Sequence, residues 1–307
     1  MSLPNLLIVG APKAGTGSLF AYLAQHPDVC PSSRKEIKFF SPDGPQGRSR
    51  SLEWYERFFA HRTEEPFALE ATPSYCYMGP VVLEAIASTL EQPRCVLILR
   101  EPVDRLWSAY TFQRSLGHLP TGMDAFEPYV QACVDSRASH PRVIDEGPFK
   151  GLSIGMYGDY VPGWDAAFGH DLRLVFFDDL VRDPHAVVRG ICSWLELDEE
   201  PVDRFALEAR NVTVHPRSMT LARGAASART WSKTALRRVP GLRRRLRDAY
   251  LRANAGRAQP RPAPQVTDRL HDLYAMSNAT LAAIAERRGD ATPAWLRSGP
   301  VGGDCSA

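Results

Sequence analysis

The chain has 307 residues, 44% of them hydrophobic and 23% charged, with a net charge of +2, enough for one sizeable core or a core with a smaller appendage. No apolar run approaches the roughly 20 residues that a membrane span needs. Six cysteines, at 30, 76, 95, 133, 192 and 305, show neither CxxC spacing nor a dense framework, which argues against zinc and against a secreted disulfide scaffold. The opening Met1-Ser2-Leu3-Pro4-Asn5 has no basic leader region, so a soluble, cytoplasmic protein is expected.

The first predicted strand is the apolar run Leu6-Leu7-Ile8-Val9. It feeds into Gly10-Ala11-Pro12-Lys13-Ala14-Gly15-Thr16-Gly17-Ser18-Leu19 and then an amphipathic helix ending near His26. A strand, a Gly-rich turn carrying one Lys, and a helix N-terminus together make a phosphate cradle. Turn glycines let backbone N–H groups converge on an anion, and the helix dipole favours negative charge. A nucleoside-triphosphatase loop places its Lys directly after the second Gly, whereas Lys13 stands two residues before Gly15. This Lys-first turn resembles the 5'-phosphosulfate loop of sulfotransferases, the enzymes that use 3'-phosphoadenosine 5'-phosphosulfate (PAPS). An ordinary strand-turn-helix connection with a solvated Lys is the alternative for the decapeptide alone.

Next comes Lys35-Glu36-Ile37-Lys38-Phe39-Phe40, followed by Trp54-Tyr55 and Phe58-Phe59. A similar run occurs in the heparan-sulfate-type sulfotransferases, where its Glu is the catalytic base. The resemblance therefore implies that Glu36 takes the proton an attacking alcohol or amine must lose; the competing role is a surface carboxylate paired with Lys35 or Lys38. His26 reads as a helix terminator, and His118 and His61 rank below Glu36 as bases. The same branch carries Glu-Lys-(Thr or Ser)-x-x-Tyr after its second strand, but this chain reads Glu70-Ala71-Thr72-Pro73-Ser74-Tyr75 and lacks that Lys. The departure points weakly to an acceptor other than a glycosaminoglycan.

Cys95-Val96-Leu97-Ile98-Leu99 predicts a strand buried on both faces of a parallel sheet. Arg100 ends it, Pro102 opens a helix, and Ser108 lies two turns in. Strand-end Arg followed by a helical Ser resembles the family's site for the 3'-phosphate of PAPS, where a guanidinium fork and a hydroxyl suit a terminal phosphate. Ile154 to Trp164 and Leu172 to Leu180 resemble the family's downstream helix and strand, and Pro184 with Val187, Val188, Ile191 and Leu195 predicts an amphipathic helix. The resemblance runs from about residue 5 to 200.

From Arg217 to Arg261, thirteen Arg and Lys stand against the single acid Asp248, so this stretch carries +12. A solvated basic face is one reading. The others are a segment covering the cofactor, in which the resemblance makes Arg217 or Arg223 a 3'-phosphate ligand, and a surface for an anionic acceptor, a nucleic acid or a membrane. A Pro-rich linker follows at 257–264, then a final amphipathic helix over Gln265 to Arg288, and a Gly-rich tail at 298–307 expected to be disordered.

The expected architecture is a single α/β domain over 1–297 with a central parallel sheet flanked by helices, binding its ligand at the strand C-terminal ends. The resemblance implies sulfuryl transfer from PAPS to a hydroxyl or amine. The catalytic pair would be Lys13 and Glu36, the cofactor site Lys13, Ala14, Gly15, Thr16, Gly17, Ser18, Leu19, Arg100, Ser108, Arg217 and Arg223, with no metal. The implied partner is a small-molecule acceptor such as a secondary metabolite, or a glycan, with no nucleic acid and no stable membrane insertion. The alternatives are a magnesium-dependent nucleotide kinase or hydrolase and a polyanion-binding protein acting through the Arg-rich stretch.

Overall fold

The computed structural model of the chain describes residues 3–41, 50–140, 147–208, 256 and 260–297. The described residues of Met1–Pro102, Met156–Asn211 and Asp272–Ala307 form one compact unit, and those of Val103–Gly155 and Val212–His271 a second.

The first unit holds a five-stranded, wholly parallel sheet. Its strands are β1 (Leu6–Gly10), β2 (Val29–Pro31), β3 (Phe67–Ala71), β4 (Arg94–Leu99) and β5 (Leu172–Phe176), in the order β2-β3-β1-β4-β5. Leu6 to Val9 and Cys95 to Leu99 are all buried, because helices cover both faces and leave no side of β1 or β4 for polar residues. The strands predicted at Leu6–Val9 and Cys95–Leu99 match to within a residue, whereas the stretch Leu172 to Leu180 is strand only to Phe176 and turns helical from Phe177. After β1 the chain moves outward to β2 and β3, and with β4 it steps to the opposite side of β1. The end of β1 is thus a topological switch point, where parallel sheets of this kind open a crevice beyond the strand ends.

Helix α1 (Thr16–Leu23) buries Leu19, Tyr22 and Leu23. Helix α2 (Leu52–Glu56) starts where the Ser51 hydroxyl accepts the Trp54 N–H, and contributes the buried Tyr55. Helix α3 (Pro80–Thr89) begins on the expected residue type, a proline in the first turn. Of the helices α4 (Pro102–Ser115), α5 (Phe126–Ser139), α6 (Gly151–Ile154), α7 (Val161–Phe168), α8 (Phe177–Arg182) and α9 (Pro184–Trp194), the last is capped by the Asp183 carboxylate on the Ala186 N–H and buries Val188, Ile191 and Cys192. Helix α10 (Pro264–Arg288) matches the final predicted helix and lends Leu281, Ile284 and Ala285 to the core of the first unit. Its end is fastened by Arg288, which donates to Asp165 of α7 at 2.7 Å and to the Gly169 carbonyl at 2.9 Å. Helix α11 (Ala294–Arg297) follows.

The second unit is helical in its described part. Arg105 of α4 is wholly buried and donates to the Gly151 carbonyl at the start of α6, while Trp107, Tyr110, Phe126 and Tyr129 pack ring on ring between α4 and α5. No helix among the described residues is long and apolar enough to cross a membrane. Most of 217–261, including Arg217 and Arg223, and all of 298–307 lie outside the described residues.

Candidate active site

The turn after β1 is shaped by two glycines. A Cβ on Gly10 would stand 2.3 Å from the Cys76 sulfur and 2.9 Å from Leu97 Cδ1, so only glycine lets β1 run this close to its neighbours. The Ala11 N–H then bonds the Ile98 carbonyl at 2.7 Å, and the chain reverses through Lys13 at φ 72° and Gly15 at φ 93°. Gly15 is the N-cap of α1 but supplies no side-chain cap, and the first turn carries no acidic residue. The N–H groups of Thr16 and Gly17 therefore open a helix whose positive dipole end meets no carboxylate of its own. This is the arrangement that favours a bound phosphate.

Not every turn residue named from the sequence faces outward. Ala14 and Leu19 are wholly buried, and their N–H groups bond the carbonyls of Ala11 and Gly15 at 3.2 and 3.0 Å. They shape the cradle from beneath. The Ser18 N–H likewise bonds the Gly15 carbonyl at 3.0 Å.

Arg100, one residue past β4, is brought directly against this turn. Its Nη1 donates to the Lys13 carbonyl at 3.4 Å, and its guanidinium lies 4.6 Å from the ring centre of Phe177, the first residue of α8. The main chain of Arg100 is pinned on both sides: Tyr157 donates its hydroxyl to the Arg100 carbonyl at 2.6 Å and accepts the Arg100 N–H at 3.3 Å. Ser108 lies half-buried in α4, in the second unit, where its carbonyl accepts the Thr111 hydroxyl at 3.2 Å.

Glu36 sits in the loop after β2 at the same sheet edge. Its N–H bonds the carbonyl of Ala71, the last residue of β3, at 3.0 Å, and its half-exposed carboxylate accepts from Lys35 Nζ at 3.4 Å. Both Glu36 and Lys38 have left-handed backbones, φ 59° and 61°. An exposed pair of this kind contributes little to stability, so it does not fix the carboxylate. The three histidines each have a partner elsewhere. His26 is buried and accepts the Asp28 N–H at Nδ1, which leaves Nε2 to donate to the Asp198 carbonyl at 2.8 Å; it ends α1 and joins it to a distant turn. His61 contacts the Pro31 carbonyl at 2.9 Å, and His118 contacts the Gln113 side chain at 3.2 Å in the second unit.

A further acidic residue, treated in the sequence only as the flank of a missing Lys, is wholly buried in the unit. Glu70 is 0% exposed and receives three hydroxyls: Tyr55 from α2, Thr72 at 2.6 Å and Tyr75 at 3.1 Å. Burial pushes its carboxyl above the usual range, against the pull of the three hydrogen bonds. The signal for it was present, since Phe67-Ala68-Leu69-Glu70-Ala71 puts one acid inside an apolar strand. Ala71, where the resemblance has Lys, is wholly buried. Among the described residues no group of three or more His, Cys, Asp or Glu has a metal-holding arrangement.

The family profile described as a sulfotransferase domain matches residues 3–210 of this chain. The chain belongs to the sulfotransferase family. It is similar to the bifunctional heparan sulfate N-deacetylase/N-sulfotransferase 1 of Caenorhabditis briggsae, 30% identical over 211 residues that cover 66% of this chain and 24% of that protein. The Caenorhabditis elegans counterpart is 24% identical over 302 residues, covering 96% of this sulfotransferase and 31% of the relative. The sulfotransferase thus spans about a quarter to a third of the length of these relatives. The crystal structure of a sulfotransferase from Alicyclobacillus acidocaldarius superposes with a TM-score of 0.69 over 97% of this chain and 100% of that one, at 22% identity, and shares its fold.

Proposed function

We propose that this sulfotransferase moves the sulfuryl group of PAPS to a hydroxyl or amine of a small-molecule or glycan acceptor. The observation that carries the reading is the turn of residues 11–18 with Arg100 hydrogen-bonded to it, on the same sheet edge as Glu36. The N–H groups of Thr16 and Gly17, the hydroxyls of Thr16 and Ser18, and Lys13 would hold the 5'-phosphosulfate, and Arg100 the 3'-phosphate. When bound, PAPS supplies an activated sulfate whose bridging oxygen departs with the nucleotide.

Glu36 takes the acceptor's proton as the acceptor oxygen or nitrogen bonds to sulfur. Lys13 stabilises the charge left on the departing phosphate oxygen, and the helix N-terminus adds its dipole. As in phosphoryl transfer, the protein contributes mainly position and charge, and no step requires a metal. A cytoplasmic enzyme of one domain over 1–297, with 217–261 meeting cofactor or acceptor, belongs to the same reading. Relatives named for heparan sulfate N-sulfation support an amine on a glycan as one acceptor class, and Ala71 weighs toward a smaller molecule.

Glu36→Gln keeps the size of the side chain and removes its basicity. Loss of a general base costs about 10²- to 10⁴-fold in rate. The variant should bind adenosine 3',5'-bisphosphate normally by calorimetry yet transfer sulfate from PAPS poorly to de-N-sulfated heparin or an alkyl alcohol. Retention of more than about a tenth of wild-type turnover removes Glu36 from the role.

A further inference from the structure

The stretch 32–41 that carries Glu36 has no glycine, and its two left-handed residues are Glu36 and Lys38. Something outside the loop must hold them. The three hydrogen bonds that do so come from donors of the loop backbone: Glu36 N–H to the Ala71 carbonyl at 3.0 Å, Lys38 N–H to the Thr72 hydroxyl oxygen at 3.3 Å, and Phe40 N–H to the Tyr75 hydroxyl oxygen at 3.3 Å.

A hydroxyl has one hydrogen, and it can accept a loop N–H only when that hydrogen points elsewhere. For Thr72 and Tyr75 it points into Glu70, whose carboxylate also takes the hydroxyl of Tyr55. Once ionised, above its raised pKa, the carboxylate only accepts and so aligns all three hydroxyls the same way. Tyr55 completes the clamp from the other side by stacking on Phe39, ring centres 4.2 Å apart and planes within 7°.

We propose that Glu70 is a positioning residue for the base: its buried carboxylate orients the hydroxyls of Thr72 and Tyr75 toward the backbone of 38–40, and so fixes the left-handed loop that presents Glu36. The proposal rests on the reading of Glu36 as base. Gln at position 70 is nearly the same shape but brings an N–H₂ group, which turns at least one hydroxyl so that its hydrogen meets a donor instead of an acceptor.

The test is Glu70→Gln in the full chain, alone and combined with Glu36→Gln. Misplacement of a catalytic group by about 1 Å can cost 10²-fold, so kcat for sulfate transfer should fall about ten- to a hundred-fold. The KM for PAPS and the affinity for adenosine 3',5'-bisphosphate should stay within about twofold, since the β1 turn is untouched. In the Glu36→Gln background the same change should cost nothing further, because a residue acting through Glu36 has nothing left to position. Tryptic cleavage after Lys35 and Lys38 should quicken, a readout that needs no acceptor. If Glu70→Gln does not fold, Thr72→Val removes one relayed acceptor alone and is read in the same way. Unchanged kcat and unchanged cleavage overturn the proposal, as does a full additional loss in the Glu36→Gln background. An active Glu36→Gln enzyme overturns the base reading itself and this proposal with it, whereas an inactive Glu36→Gln beside a fully active Glu70→Gln overturns the positioning role only.

Discussion

The turn after β1 and the loop after β2 both meet the carboxyl edge of the sheet in left-handed conformations, at Lys13 and Gly15 in one and at Glu36 and Lys38 in the other. In the turn the constraint is met mostly by the main chain, with one side-chain bond from Arg100 to the Lys13 carbonyl. Glycine stands at the N-cap, bonds run backbone to backbone, and a helix follows at once. In the loop it is met at a distance, by hydroxyls on residues 72 and 75 and a carboxylate on residue 70. A site that must bind an anion through backbone N–H groups is best served by the first solution. One that must present a single side chain can use the second, and then depends on tertiary partners for its shape.

The largest expected effect breaks the comparison at the charge the turn alone carries. Lys13→Ala should lower kcat by about 10²-fold or more, the scale of one lost charge-stabilising donor, and by more than it raises the KM for PAPS. A loss confined to KM would make Lys13 a tether, and the charge stabilisation would pass to Lys38. Next in size is Gly15→Ala, where the new Cβ meets the Phe177 ring at 2.9 Å in a backbone already at φ 93°. Strain of this kind costs about 1–3 kcal/mol. It should appear as a lower midpoint of thermal unfolding together with weaker binding of adenosine 3',5'-bisphosphate. Gly79→Ala, at φ 83° with nothing within 4 Å, should lower the midpoint less and leave binding alone. Equal losses of binding in both would mean that the Gly15 turn is not the cradle.

Arg100→Ala should weaken adenosine 3',5'-bisphosphate about tenfold or more by calorimetry, which is about 1.4 kcal/mol, and AMP much less. Equal weakening of both nucleotides would reduce Arg100 to a prop for the Lys13 carbonyl. The smallest effect separates the two segments by pH, since only the loop rests on a carboxylate. Burial raises the folded-state value for Glu70 above that of the unfolded chain, so the native state holds this proton more tightly. Its contribution to stability is full below the ordinary carboxylate range and is lost as pH rises through the raised value. The stability of the parent protein relative to Glu70→Gln should therefore decline with rising pH across that window in denaturant titrations. A difference that grows with pH contradicts the direction. Tyr55 and Tyr75, pushed up by their own burial beside Glu70, stay protonated throughout.

The same contrast decides what could be read from the chain alone. Leu6 to Val9 and Cys95 to Leu99 are apolar without interruption, and Pro184 marks the start of α9, so these elements declared themselves. The turn did too, because Lys, Gly and a helix start in fixed order are all local. Strand β2 is only three residues long and ends in proline, too short for any periodicity. Glu70 was visible as an acid in an apolar strand, but its meaning lies in hydroxyls from Tyr55 and Tyr75, which the fold alone brings to it. Phe177 beneath Arg100 and Tyr157 across its main chain likewise come from far along the chain. Ala14 and Leu19 entered the expected site through membership in a motif, and the motif alone did not show that both are wholly buried.

The two bonds from Tyr157 to the main chain of residue 100 have a practical corollary. They hold the strand end whatever side chain it bears, so position 100 is a socket on a fixed mount. If Arg100 holds the 3'-phosphate as proposed, exchanging it for Lys, Gln or His would vary the chemistry offered there without re-laying the backbone, which makes this one codon the natural starting point for redirecting the enzyme toward sulfate donors that lack a 3'-phosphate.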